Sequence, residues 1–145
     1  MKLITMINLM LEGMGGTCAI FFLTLLFSLP LGMVVALLRM SKNKVVSNVT
    51  RAIISVLRGT PLMLQLIAVT YGPYYLFQFS VSKNKLIPVV IAFAINYAAY
   101  FAEIYRSGIE SIPVGQYEAS EILGYSKVQT FFRIILPQVI KRIMP

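Results

Sequence analysis

The sequence predicts an all-α protein, a polytopic bundle of membrane-spanning helices. Hydrophobic residues make up 58% of the 145 and charged residues 12%, about half the roughly 25% of a soluble domain, and the mean hydropathy is +0.80. Three apolar runs are long enough to cross hydrocarbon, which takes about 20 residues with a range near 17–25. The 13 Lys and Arg lie between those runs rather than along one face. Membrane topology gives that pattern, and nucleic-acid binding does not.

The first run extends from Gly13 to Leu38, carries no charge and ends at Arg39, which places a span at about 16–38. A signal-peptide core is typically 7–15 residues before a small-residue cleavage site; this run is longer and ends in RMSKNK. Pro30-Leu31-Gly32 within it reads as a packing kink, with Gly32 allowing close approach. The second run lies between Arg58 and Lys83, opens GTPLMLQLIAVTYGPYYLF, and predicts a span at 59–80. The third, Leu86 to Ala102, predicts a span that passes Glu103 and ends near 105.

Basic residues in the connections set the orientation. Arg39, Lys42, Lys44, Arg51 and Arg58 lie around the first connection, and Arg106, Lys127, Arg133, Lys141 and Arg142 follow the third span. Lys2, Lys83 and Lys85 fall on the other side. The positive-inside rule puts the N-terminus outside and both basic segments in the cytoplasm.

The segment at about 110–137 holds EASEILGYSKVQTFFRIILPQ. Ser111-Ile112-Pro113 introduces a helix, since Pro costs nothing in a first turn. Gly124 can take the left-handed C-terminal cap that ends it, and Ser126 with Gln129 matches a capping box for a second helix. Pro137 is expected to bend or end that second helix. Glu118 and Glu121, three apart, share a face. With Glu110 they argue against a helix resting on an anionic leaflet, which attracts Lys and Arg instead. They suit a helix that docks on another protein.

Enzymatic classes find no support. There is no His or Trp and no Asp, and the one cysteine, Cys18, cannot form an internal disulfide. No His-containing metal cluster, catalytic residue or cofactor site is predicted. Polar groups at membrane depth are costly and tend to face a bundle interior or wet cavity. Those here are Thr60, Gln65, Thr70 and Tyr71 in the second span, with Arg58 at its edge, and Asn96, Tyr97, Tyr100 and Glu103 in the third. Asn96, Tyr100 and Glu103 recur on one helical face, where Glu103 could meet an ammonium group and the amides and hydroxyls the rest of a zwitterion. Gly59 and Pro61 interrupt the second span, as interrupted spans do at many transport sites. The same residues also suit a tyrosine belt, interhelical hydrogen bonds, and an ion pair of Glu103 with Arg106 or Arg58.

Glu118-Ala119-Ser120, then Gly124, then an apolar stretch closing in Leu136-Pro137 resembles the EAA loop of ABC-importer permeases. Ser120 departs from the family's second Ala, small for small. Arg58-Gly59-Thr60-Pro61-Leu62 with Gln65, Ala99-Tyr100-Phe101-Ala102-Glu103-Ile104-Tyr105-Arg106, and Ile112-Pro113 with Gly115-Gln116 and Glu118-Ala119 resemble the polar-amino-acid branch. The resemblance covers nearly the whole chain. It implies the type I ABC-importer permease fold, here as three spans plus a cytoplasmic coupling helix. It also implies that the coupling helix fits a groove in a cytoplasmic ABC ATPase dimer, through Glu118, Ala119, Ser120, Gly124 and Gln116. A second permease subunit, identical or different, and an extracytoplasmic solute-binding protein are the other implied partners, with a polar amino acid as cargo, at the bacterial cytoplasmic membrane. The chain has no Gly-x-x-x-x-Gly-Lys-Ser/Thr phosphate loop, so ATP hydrolysis is expected on the partner. The family continues past Leu136-Pro137 with a proline, matched by Pro145, and two further spans; the chain is expected to be a piece of a longer permease. Two other functions stay open: a small membrane subunit that recruits a partner without transport, and a fragment of an ion-driven secondary transporter.

Overall fold

The computed structural model describes residues 3–78 and 86–144, and no strand occurs among them. Lys2, Lys83, Lys85, the last two positions of the second predicted span and Pro145 lie outside the described residues. Helix α1 (Leu3–Arg39) runs 37 residues and α4 (Leu86–Glu110) runs 25. These two are long and apolar enough to cross a membrane. The helix α1 starts well before the predicted position 16, because residues 3–12 are also mostly apolar with one charge, Glu12. At about 1.5 Å per residue it reaches roughly 55 Å, more than the ~30 Å hydrocarbon core.

The helices α1 and α4 pack along stripes of small residues. Thr24, Ser28 and Ala36 on α1 are buried, as are Ala94, Ala98 and Ala102 on α4. Each stripe repeats every four residues, the spacing that lets helix backbones approach closely in lipid. Gly32 sits in the α1 stripe. A methyl group added there would lie 2.7 Å from Phe101 Cβ and 3.2 Å from the Ala98 carbonyl oxygen. Pro30 is accommodated within α1.

The connection after α1, expected as a loop, is instead the helix α2 (Lys44–Gly59). Asn43 caps it, accepting from the Val45 N–H at 2.9 Å. Thr50 and Ile54 turn to the core, while Lys44, Arg51 and Arg58, seven apart, share another face. Arg39 Nη1 donates to Ser47 Oγ at 3.0 Å, and that hydroxyl donates back to the Arg39 carbonyl at 2.7 Å, which ties α2 to the end of α1.

Helix α3 (Leu62–Phe77) leaves α2 at 106°. The second predicted span is thus a broken one, and α2 with α3 counts as a third crossing if the bent pair is taken as one span. The break follows from Pro61, which has no N–H to give the Leu57 carbonyl four residues back. Two side chains replace it. Gln65 Nε2 donates to that carbonyl at 2.7 Å and Asn96 Nδ2 does so at 3.3 Å, while Asn96 Nδ2 also donates to Gln65 Oε1 at 2.9 Å. Gln65 reaches Thr60 Oγ1 at 2.8 Å, and the Thr60 hydroxyl donates to the Val56 carbonyl at 2.8 Å.

After α4 come α5 (Val114–Ile122), the single turn α6 (Lys127–Gln129), a π-helical turn over Thr130–Ile135 and α7 (Leu136–Ile143). Of the two outcomes expected at Pro137, an end to the helix is excluded, since the chain stays helical through it. The wider turn ahead, closed by the Leu136 N–H on the Phe131 carbonyl, gives the proline ring room where an α-helical carbonyl would clash.

Two outcomes test this packing. Gly32→Leu overfills the seam and is expected to cost about 1–3 kcal/mol or more, with Gly16→Leu, which points into open space, unchanged, as read by thermal unfolding in detergent. Asn96→Leu and Gln65→Leu should each cost about 1–3 kcal/mol, and the double variant should lose less than the sum because both act on one carbonyl.

Candidate functional site

The segment beneath α4 folds as a hairpin of α5 and the α6–α7 helix. Gly124 adopts φ +75°. Around it the Tyr125 N–H reaches the Ser120 carbonyl at 3.0 Å and the Gly124 N–H reaches the Glu121 carbonyl at 3.0 Å, the paired closure of a Schellman turn. The capping box at Ser126 is complete, with Gln129 N–H to Ser126 Oγ at 3.3 Å and Ser126 N–H to Gln129 Oε1 at 3.0 Å.

Ser120 is 2% exposed. Its hydroxyl donates to the Tyr117 carbonyl at 2.7 Å and accepts from the buried Thr130 hydroxyl at 3.0 Å. The serine that departs from the family pattern therefore has a dedicated partner on the second arm. Burial also raises the pKa of the neighbouring Tyr117 phenol above its ordinary 10.0, so that group stays neutral. Gln116 Oε1 accepts from Gln138 Nε2 at 3.2 Å. Thr130 and Gln138 were not singled out from sequence; only a folded hairpin brings them opposite Ser120 and Gln116.

The far side of the hairpin is open. Glu118, Ala119 and Glu121 are exposed, and the tip presents Ile122 and Leu123, 87% and 71% exposed. An apolar tip flanked by carboxylates is a docking chemistry. The near side is packed: Ile135 and Val139 join Ile109 and Ile112 in one buried cluster against Met40 and Phe131. Gly108 allows this, since a methyl there would lie 2.7 Å from Ile143 Cγ2 and 2.9 Å from Val139 Cγ1. Arg142 Nη1 donates to both the carbonyl and the hydroxyl of Ser111.

Above the hairpin the polar residues of the spans separate into two groups. Thr60, Gln65 and Asn96 form the joint between α2, α3 and α4. Arg58, Tyr100 and Glu103 line a cavity of about 660 Å³ together with Arg106, Ser107, Ser111 and Arg142. Arg58 lies over the Tyr100 ring, 5.2 Å from its centre, rather than against Glu103. Glu103 pairs with Arg106 at 2.8 Å and with Arg39 at 3.7 Å; Arg39 was not among the expected partners because it comes from another helix. Tyr71 is exposed on α3, and Tyr97 lines a separate cavity against α1 with Thr17 and Phe21.

Residues 28–145 match the family model of the binding-protein-dependent transport system inner membrane component. The L-cystine transport system permease protein TcyB of Bacillus subtilis is 38% identical over 134 residues, covering 92% of this chain and 56% of its own length. The arginine transport system permease protein ArgU of Corynebacterium glutamicum is 36% identical over 139 residues, covering 89% of this chain and 44% of its own. The chain thus spans about half the length of these curated relatives. A crystal structure of an amino acid ABC transporter with histidines superposes with TM-score 0.79 at 33% identity, covering all of this chain and 68% of that one.

Hairpin stability depends on the two hydroxyls. Ser120→Ala leaves the Thr130 hydroxyl buried without its acceptor, at about 1–3 kcal/mol, whereas Ser120→Ala with Thr130→Val should be near neutral. Amide hydrogen exchange across residues 114–130 reads the difference.

Proposed function

The chain belongs to the family of binding-protein-dependent transport system inner membrane components, and from that premise we propose that it is the membrane permease subunit of an importer of polar amino acids, driven by ATP hydrolysis on a separate subunit. The observation that carries this reading is the hairpin: an exposed acidic arm with an apolar tip, backed by a packed joint to the end of α4. Its partners would be a cytoplasmic ATPase dimer, a second permease subunit and an extracytoplasmic solute-binding protein. The named cargo of the relatives, L-cystine and arginine, supports the substrate class.

Coupling works by rigid connection. A groove in the ATPase would hold Ile122 and Leu123, with Glu118 offered to a basic group or a free backbone donor at its rim. Ala119 keeps that arm slim, and Gly124 makes the tight turn. Movement of the groove would carry α5, and through Ser120, Thr130 and the Gln116–Gln138 bond it would carry the second arm. Ile135 and Val139 would then pass the motion to α4 through Ile109, and Gly108 keeps that joint tight. The motion would reach α1 through its close seam with α4. The π-helical turn before Pro137 lies between the hairpin tip and this joint, where local compliance would be felt.

Substrate would pass the face of Arg58, Tyr100 and Glu103, with Thr60, Gln65 and Asn96 shaping the bend behind it. In the proposed topology the N-terminus is outside, and the hairpin and the arginine-rich ends of the helices face the cytoplasm. The clustering of Arg39, Arg51, Arg58 and Arg106 around Glu103 at one end of α1, α2 and α4 supports that orientation.

A cysteine at Ala119, in a background lacking Cys18, should crosslink to the ATPase subunit of the assembled importer, and crosslinking should respond to ATP. Labelling of Ala119 by lipid or water reagents alone in an intact complex would sink the assignment. Glu118→Leu with Gly124→Val is expected to lower ATP-driven uptake at least about tenfold, since the turn strain alone is about 1–2 kcal/mol and the docking contacts add to it.

A further inference from the structure

Adjoining the first cavity and sharing Arg58, Tyr100, Glu103 and Arg106 with it, a groove of about 430 Å³ lies where the ends of α1, α2 and α4 meet. That volume falls in the roughly 300–1,000 Å³ range of small-molecule sites. Its lining collects four guanidinium groups, Arg39, Arg51, Arg58 and Arg106, against one carboxylate, Glu103. The carboxylate is already engaged by Arg106 and Arg39, and Arg106 is further satisfied by Glu110. Arg51 has no ion pair or hydrogen bond among the described residues, and Arg58 has the face of Tyr100 alone. The Nε of Arg39 is buried and makes no hydrogen bond, but it stands 3.7 Å from Glu103, so its charge is already committed. Helix α2 itself contains no acidic residue. Positive charge is therefore in excess along an open groove, with the donors of Arg51 and Arg58 left over.

The depth of the groove is set by the helices. Arg39 is the first charge after the apolar run of α1, and Glu103 is the first charge of α4. Their pairing brings the two ends of hydrocarbon-compatible helix to one level, where headgroups begin. Seven-residue spacing adds Lys44 to the face of Arg51 and Arg58, while Val45, Val49, Ile53 and Val56 are exposed on the opposite side of α2. A helix with a basic face and an apolar face is the form that lies at a membrane interface.

We propose that this groove binds a phosphate-bearing anion, held by Arg51 and Arg58. Guanidinium forks match phosphate oxygens in pairs, which a lone carboxylate cannot do for all four arginines. The phosphate could be that of an anionic phospholipid headgroup or a soluble one, and the two sources are separable by experiment.

The full chain, reconstituted in neutral nanodiscs, is offered phosphatidylglycerol and phosphatidylcholine in equal amounts and read by native mass spectrometry; inorganic phosphate is titrated separately by calorimetry. A lipid site predicts preferential retention of phosphatidylglycerol, reduced about fivefold by Arg51→Gln, the change expected for one arginine near a headgroup. Lys127→Gln, on the hairpin, should leave it unchanged. Saturable inorganic phosphate binding that Arg51→Gln abolishes, with no preference between lipids, assigns the site to a soluble anion. Binding of neither, or binding that Arg51→Gln leaves intact in a protein of normal helicity, overturns the proposal. Should Arg51→Gln fail to fold, Arg58→Gln gives the same reading.

Discussion

The structure depends on one backbone oxygen. Hydrocarbon offers no water to a free carbonyl, so every helix break within a membrane must be satisfied from inside the protein. Pro61 strips the Leu57 carbonyl of its usual donor, and Gln65 and Asn96 supply it with two. Because Asn96 comes from α4, the bend between α2 and α3 is also the place where three helices are joined. It turns α2 away from α3 by 106°, and that turn lays the basic face of α2 beside the charged ends of α1 and α4.

The same economy governs the α1–α4 seam. Apolar side chains gain little from leaving lipid for protein, so helices in a membrane are held by close van der Waals approach and by the few hydrogen bonds between them. Small residues at every fourth position give that approach. Its tolerance is narrow where Gly32 faces Phe101. Six residues past Ala102, Gly108 makes a similarly tight contact with α7. Both contacts hold the C-terminal half of α4, one against the span beside it and one against the hairpin beneath it.

Charge is concentrated where the apolar helices end. Arg39, Glu103 and Arg106 form a chain of partners from α1 to α4, and the Arg39–Ser47 bonds extend it to α2. A lone exposed pair of this type contributes little, but here the groups are partly buried and shared among three helices. They fix how the ends of the three helices stand relative to each other.

The sequence by itself determined the elements whose causes are local. Two uncharged runs, Gly13–Leu38 and Leu86–Ala102, gave helices long and apolar enough to cross a membrane, Gly124 required a left-handed turn, and Ser126 with Gln129 required a capped second arm; each of these is decided within a few residues. The acidic, glycine-jointed segment was recognisable for the same reason. The periodicity that makes α2 a helix was also present, with Asn43 ahead of it, but its basic residues were read for topology and its apolar ones passed over. What only the tertiary structure decided is which polar groups meet. Asn96, Tyr100 and Glu103 share a helical face in sequence, yet Asn96 turns to a carbonyl on α2 while Tyr100 and Glu103 open on cavities. Ser120 finds Thr130 ten residues away, and Glu103 finds Arg39 from a different helix. Spacing along one chain specifies a face, but the partner of that face is set by how other helices cross it, and that information is carried by packing rather than by any single segment.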